Sequence, residues 1–277
     1  MPSIPAGDLE FEYCLIGPPN GDVVVLSTGF GDQLTVWPIS LQSALADSGF
    51  QVLSFDTRDA GLSSESHGYR LDDLADDLIS IAAAVVPNAQ SINILGYSMG
   101  GQIAMRAGLR YPERVRSLAL LFSTSGAPDL SKPSWAAISG SISISERVSR
   151  PEAINRRIEL MRVASGPGFQ ADERVASAIA NADFDRAYRP EGVARHLEAM
   201  TQSRSVYDEL SRISCSCLVI QASHDCFFGE DHGDDLARRL GCELKIVNGA
   251  GHNLSEELGN LLARSLVPFF AIDRVVE

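Results

Sequence analysis

Ser91-Ile92-Asn93-Ile94-Leu95-Gly96-Tyr97-Ser98-Met99-Gly100-Gly101 runs a short β-branched apolar segment into a Gly-x-Ser-x-Gly pentapeptide. The residues that follow, Gln102 to Tyr111, carry Ile103, Ala107 and Leu109 at helical spacing, with Ala104 and Met105 beside them. A strand, a sharp turn and a helix with one serine at the apex form the context of a nucleophile elbow. So tight a turn leaves no room for side chains two residues either side of the apex, which accounts for Gly96 and Gly100. The apical serine is expected in a strained backbone conformation, its hydroxyl pointing away from the sheet edge.

Outward from the elbow, short apolar runs alternate with helical patterns. Leu9 to Ile16 alternates as an edge strand, closed by a Gly/Pro-rich turn. Asp22 to Ser27, Phe50 to Asp56 and Ser117 to Phe122 are nearly all apolar, as strands buried on both faces of a parallel sheet are. Between them, Ile39 to Ser48 and Leu71 to Val86 read as helices. The second has an acidic face (Asp72, Asp73, Asp76, Asp77) expected to be solvated and favoured by the helix dipole. From Ser123 to about Ile213 the rhythm breaks. Ser/Pro/Gly-rich pieces separate helices at Pro151 to Val163, Ala171 to Ala180 and Pro190 to Met200. Strands Cys217 to Gln221 and Glu243 to Val247, with helices Asp231 to Leu240 and Ser255 to Phe270, restore the alternation. The pattern predicts an α/β core of right-handed crossovers over residues 1–124 and 213–277, covered by a helical cap at 125–212. Cap residues Trp135, Ile138, Ile142, Leu160, Met161, Phe169 and Met200 suit either an apolar pocket or helix packing.

The 277 residues fit one large domain with an insert, and the formal charge of −13 argues against nucleic-acid and anionic-membrane partners. The N-terminus shows no basic start and no apolar run, so no signal peptide is expected. Five scattered cysteines (Cys14, Cys215, Cys217, Cys226, Cys242) suit a reducing, cytoplasmic setting better than a disulfide framework. Cys215-Ser216-Cys217 lacks a second Cys/His pair at ligand spacing, so no metal is expected.

An exposed serine needs a base to take its proton. Of five histidines, His252 follows a late strand inside a Gly-rich loop, Asn248 to Asn253, that brings it to the C-terminal edge of the sheet. Asp225 ends the preceding strand at the same edge and suits the group that fixes the imidazole tautomer. Asp129 is a distant alternative for that acid. Among the others, His196 on the cap is a candidate for touching substrate, and His224 is expected at the surface. His67 reads as a loop residue and His232 as the exposed start of a helix. Cys226, without a basic neighbour, is expected to be unreactive.

The order Ser98, Asp225, His252 and the spacing of the strands identify the chain as similar to the α/β-hydrolase superfamily from Asp22 to Phe270. Ser27-Thr28-Gly29-Phe30-Gly31, Trp37-Pro38 and Phe55 to Ser63 (FDTRDAGLS) are similar to a narrower group that includes the methylesterases of anthracycline biosynthesis. More distantly the chain resembles enol-lactone hydrolases and non-haem perhydrolases. The resemblance implies a mainly parallel eight-stranded sheet with the cap inserted after the sixth strand. It also implies a serine hydrolase acting on a small-molecule ester or lactone as a monomer or homodimer, without metal or organic cofactor. The oxyanion donors would be the Phe30 and Met99 amides. Gly29, Trp37 and Tyr97 would lie at the substrate pocket, although Trp37 equally suits core packing. Many relatives have His-Gly where this chain has Thr28-Gly29, which puts the oxyanion loop in question rather than the serine. C–C bond hydrolases, thioesterases and perhydrolases use the same three side chains, and a non-hydrolytic ligand-binding sensor is the alternative of another class.

Overall fold

The computed structural model describes residues 1–132 and 146–272; Trp135, Ile138 and Ile142 lie outside the described residues. Eight strands build one sheet: β1 (Ser3–Ala6), β2 (Leu9–Ile16), β3 (Val23–Ser27), β4 (Gln51–Phe55), β5 (Ile92–Tyr97), β6 (Val115–Leu121), β7 (Ser216–Ala222) and β8 (Glu243–Val247). Their order is β1-β2-β4-β3-β5-β6-β7-β8. β1 and β2 pair antiparallel, as do β2 and β4; every later pairing is parallel. The helices are α1 (Ile39–Asp47), α2 (Leu71–Val85), α3 (Met99–Arg110), α4 (Arg150–Ala164), α5 (Glu173–Arg186), α6 (Pro190–Gln202), α7 (Glu230–Leu240) and α8 (Glu256–Ala271).

The all-apolar strands are apolar because each face meets its own layer of helices. Val23, Val25, Ile94, Leu118, Leu120 and Val219 pack with residues of α2, α3 and α7. Their neighbours Val24, Leu26, Leu95, Ala119, Leu121, Leu218 and Ile220 pack with α1 and α8. Each fully buried Val, Leu or Ile contributes about 1.5–3 kcal/mol, so both faces are needed to hold the central strands.

β1 is the strand that periodicity does not show. It has only four residues, is partly exposed and contains Pro5, and it exists by pairing with β2 across a turn in which Gly7 has φ +62°. The outer edge is therefore β1, not Leu9–Ile16. α5 runs to Arg186, beyond the expected Ala180, because the polar residues that mask its amphipathic pattern are engaged. Asp172 caps it through Arg174 N and Val175 N, while Asp183, Asp185 and Arg186 bind partners outside the helix.

The acidic face of α2 is solvated only in part, and its carboxylates are paired. Asp77 is buried and takes a bidentate pair from Arg58, with both contacts at 2.6 Å. Asp72 pairs with Arg106 and Asp76 with Arg110, while Asp73 caps the helix by accepting from Arg70 N. His232 is likewise buried rather than exposed. Its ring bonds Thr124 Oγ1 and the Ser131 carbonyl, pinning the segment that leaves β6 for the inserted helices. Among the described residues no helix is long and apolar enough to cross a membrane.

Candidate active site

Ser98 sits between β5 and α3 with φ 54° and ψ −119°, a conformation sparsely populated by L-residues. The surrounding glycines are steric necessities. A Cβ on Gly96 would lie 2.4 Å from the Gly100 carbonyl oxygen, and one on Gly100 would lie 2.0 Å from that of Ser27. At Gly101 a Cβ would strike Ser123 Oγ at 2.3 Å, and that hydroxyl donates to the Ser98 carbonyl at 2.8 Å.

The hydroxyl of Ser98 is 2.9 Å from His252 Nε2, and His252 Nδ1 is 2.7 Å from Asp225 Oδ2. A carboxylate can only accept, so Nδ1 carries the proton and Nε2 presents its lone pair to the serine. Asp225 is held from its other side: its Oδ1 accepts from the Phe227 and Phe228 amides at 2.8 and 3.0 Å. The Phe227 and Phe228 rings stand 4.7 and 5.7 Å from the imidazole, and Tyr97 donates its hydroxyl to the His252 carbonyl at 2.7 Å. Burial, with Asp32 and Asp225 nearby, holds the Tyr97 phenol well above its ordinary range, so it remains a donor. This arrangement can move a proton from a serine hydroxyl to an imidazole and stabilise the imidazolium that results.

The loop after β3 passes beside the serine. Thr28 is buried and faces the Thr57 hydroxyl at 3.2 Å. Met99 opens α3, where an N–H has no helical acceptor. Among the described residues neither its amide nor that of Phe30 has a backbone acceptor.

Above the serine lies a cavity of about 520 Å³. Ser98, Tyr97 and His252 are at its floor, and Phe30, Val36, Leu160, Met161, Phe184, Val193, Leu197, Met200, Phe227 and Phe228 supply apolar walls. Four residues weighed for the pocket wall or for substrate contact do not line the cavity. Trp37 is 2% exposed, packs edge-on to Tyr97 at 6.1 Å and does not line the cavity. Gly29 also lies off the wall, where a Cβ would fall 2.8 Å from Asp32 Oδ2 and 3.0 Å from the Tyr97 ring, and Phe169 packs instead against the core that the sheet shares with α1 and α8. His196 is wholly buried and touches no cavity surface. His224, His67 and Asp129 are exposed, and burial with the neighbouring Asp225 pushes the Cys226 thiol up to about 11.

The charged part of the wall was not legible in the sequence. Arg157 of α4 reaches Asp32 at 3.1 Å and Asp183 of α5 at 3.4 Å. Burial pushes the Asp32 carboxyl above its usual range while Arg157 pulls it back. No local pattern announces a pair 125 residues apart. The Phe227 and Phe228 amides were foreseeable, because an aspartate at a strand end commonly accepts from the backbone two and three residues on.

A serine, histidine and aspartate linked by hydrogen bonds at the C-terminal edge of a mainly parallel sheet, under inserted helices, define a class of fold and site. A model of the alpha/beta hydrolase fold matches residues 22–257, and the chain belongs to that family. It is 26% identical over 277 residues to the rhodomycin D methylesterase of Streptomyces peucetius, covering 91% of each chain. It is also 26% identical over 277 residues to a 2-hydroxy-6-oxononadienedioate/2-hydroxy-6-oxononatrienedioate hydrolase of Cupriavidus pinatubonensis, covering 95% of this chain and 92% of the other. Among solved structures it superposes on the enol-lactonase from Burkholderia xenovorans with a TM-score of 0.80 at 24% identity, over 98% of this chain and 100% of that one, a likeness of fold.

Proposed function

We propose that the chain is a serine hydrolase that cleaves a carboxylic ester, or a lactone, through an acyl-enzyme. The unbroken hydrogen-bond chain from Asp225 through His252 to Ser98, on the floor of a largely apolar cavity, carries this reading. Ser98 Oγ attacks the acyl carbon as its proton passes to His252 Nε2. The Phe30 and Met99 amides receive the developing oxyanion, and the dipole of α3 adds to Met99. Collapse of the tetrahedral intermediate transfers the proton from His252 to the leaving alkoxide. Water then repeats the sequence in reverse: His252 takes its proton, the acyl-enzyme is attacked, and Ser98 is released with the acid.

A cavity of about 520 Å³ suits a medium-sized apolar acid or alcohol. The methylesterase relatives favour ester cleavage, and a lactone differs only in that its alcohol stays tethered. The C–C bond hydrolase among the relatives, at the same identity, supports a second reading on the same side chains. The scattered cysteines favour a cytoplasmic setting.

A fluorophosphonate probe is expected to label the intact protein at neutral pH and to leave Ser98→Ala unlabelled. An unlabelled wild type would favour a binding protein instead. A panel of p-nitrophenyl esters, methyl esters, lactones and vinylogous diketones then assigns the bond. Asp225→Asn keeps the shape but offers an amide N–H where Nδ1–H must be accepted, and is expected to lower kcat by about 10⁴-fold. A loss under tenfold in steady-state kinetics would mean that Asp225 does not orient His252.

A further inference from the structure

The loop that carries the Phe30 amide is fastened to the inserted helices as much as to the sheet. Asp32 pairs with Arg157 of α4, and the Gln33 side chain donates to the Asp183 and Ala187 carbonyls at the end of α5. The contact nearest Phe30 comes from α6. Gly31, at φ +70°, donates its backbone N–H to His196 Nδ1 at 3.1 Å, while His196 Nε2 lies 2.7 Å from the Arg58 carbonyl. These two partners fix the ring. An amide N–H can only donate, so Nδ1 is the unprotonated nitrogen and Nε2–H donates to Arg58 O. The ring is wholly buried and meets Tyr69 edge-on at 6.4 Å. It therefore has neither room nor water to turn, and burial holds it neutral. Helix α6 also abuts the loop sterically, for a Cβ on Gly31 would lie 3.0 Å from Val193 Cγ2.

We propose that His196 is a positioning residue which, from the inserted helices, sets the oxyanion amide of Phe30. By holding the Gly31 N–H it fixes the peptide plane that follows Phe30. That anchors Phe30 on its C-terminal side, narrows the range over which its N–H can move from the Ser98 adduct, and keeps the Gly31 N–H from competing for the oxyanion. The inserted helices thus complete the catalytic floor as well as shaping the cavity above it. This inference rests on the reading of Ser98 as an acyl-transfer nucleophile.

The test compares the wild type with His196→Leu and His196→Asn, using a short-chain p-nitrophenyl ester as substrate and phenylboronic acid as inhibitor. The boronic acid adds to a serine oxygen to give a tetrahedral adduct with one oxygen in the hole. His196→Leu is expected to lower kcat by about tenfold to a hundredfold, with KM within about twofold. Inhibition by phenylboronic acid should weaken by a similar factor. In His196→Asn the Oδ1 takes the place of Nδ1 and accepts from Gly31, so most of both losses should be recovered. A change confined to KM, or equal impairment of the two variants, would overturn the proposal. Nitrogen-detected NMR of the wild type, which depends on no variant folding, should show His196 with Nε2 protonated and Nδ1 bare near neutral pH; the opposite tautomer would overturn it as well. A wild type that neither turns over ester nor takes the fluorophosphonate label overturns the nucleophile reading together with this one. A labelled, active wild type whose rate is indifferent to His196 overturns this one alone.

Discussion

Ser98→Gly is expected to abolish turnover and at the same time to melt about 2 °C above the equally inactive Ser98→Ala. On the proposed acyl-enzyme route the first effect follows from loss of the attacking oxygen, which lowers kcat by about 10⁶-fold where a serine of this kind is the nucleophile. The second comes from the backbone. At φ 54° and ψ −119° an L-residue is strained by about 1–3 kcal/mol, and glycine is not. Against that relief stands the added unfolded-state freedom of glycine, about 0.4–1 kcal/mol, which leaves glycine about 1 kcal/mol ahead of alanine, both variants having lost the hydrogen bond to His252. Ser98→Ala separates the two effects, because alanine removes the hydroxyl but keeps the Cβ that strains the turn. It should match the glycine variant in inactivity and melt below it in calorimetry. Equal melting temperatures for the two variants would mean that the elbow stores no strain. The elbow would then be a turn with a serine in it, not a device that aims one.

Arg186→Ala is expected to be the most destabilising of the exposed-to-buried ion-pair deletions, by about 3 kcal/mol in urea unfolding. Its partner Asp56 has a fully buried side chain that follows β4 and is used by three donors. Leu34 N reaches Oδ1 at 2.7 Å, while Leu62 N and Arg186 Nη2 reach Oδ2 at 2.9 and 2.7 Å. One carboxylate thereby ties together the loop after β3, the loop after β4 and helix α5. Even the backbone is shaped around it, since a Cβ on Gly61 would fall 1.9 Å from Asp56 Oδ2. Without the guanidinium a carboxylate is left in a site from which water is excluded, and the two amides only partly compensate it. Arg150 pairs with Asp185 on the same helix, but the two side chains are 47% and 61% exposed. Arg150→Ala should therefore move stability by less than about 1 kcal/mol. In the Arg186→Ala background, Asp56→Asn should restore part of the loss by removing the uncompensated charge. If the two arginine variants unfold at the same urea concentration, burial does not govern these pairs.

The elbow was legible because its constraints are local. Glycine spacing, a β-branched run and a helical pattern all fall within twenty residues, and the observed β5 and α3 differ from the expected elements only at their ends. Asp225 and His252 were legible for a related reason: one follows the buried strand β7 and the other the edge strand β8, and parallel strands of one sheet end on one edge. The sheet itself follows from the apolar runs, apart from β1, which depends on pairing rather than pattern.

Residues whose meaning depends on distant partners were not legible. Asp72 and Asp77 look like a solvated acidic stripe until Arg106 and Arg58 are placed against them. Trp37 and His196 each had a plausible place at the substrate, and packing assigned both to the interior. The pair of Asp32 with Arg157 and the brace from His196 to Gly31 join segments more than 120 residues apart. What the amino-acid order determined by itself was a sheet, an elbow and the sequence of three chemically suited residues. Which residues line the cavity and hold the loop beside Ser98 was decided only by tertiary structure, because burial and charge pairing depend on what the chain brings back to the same place.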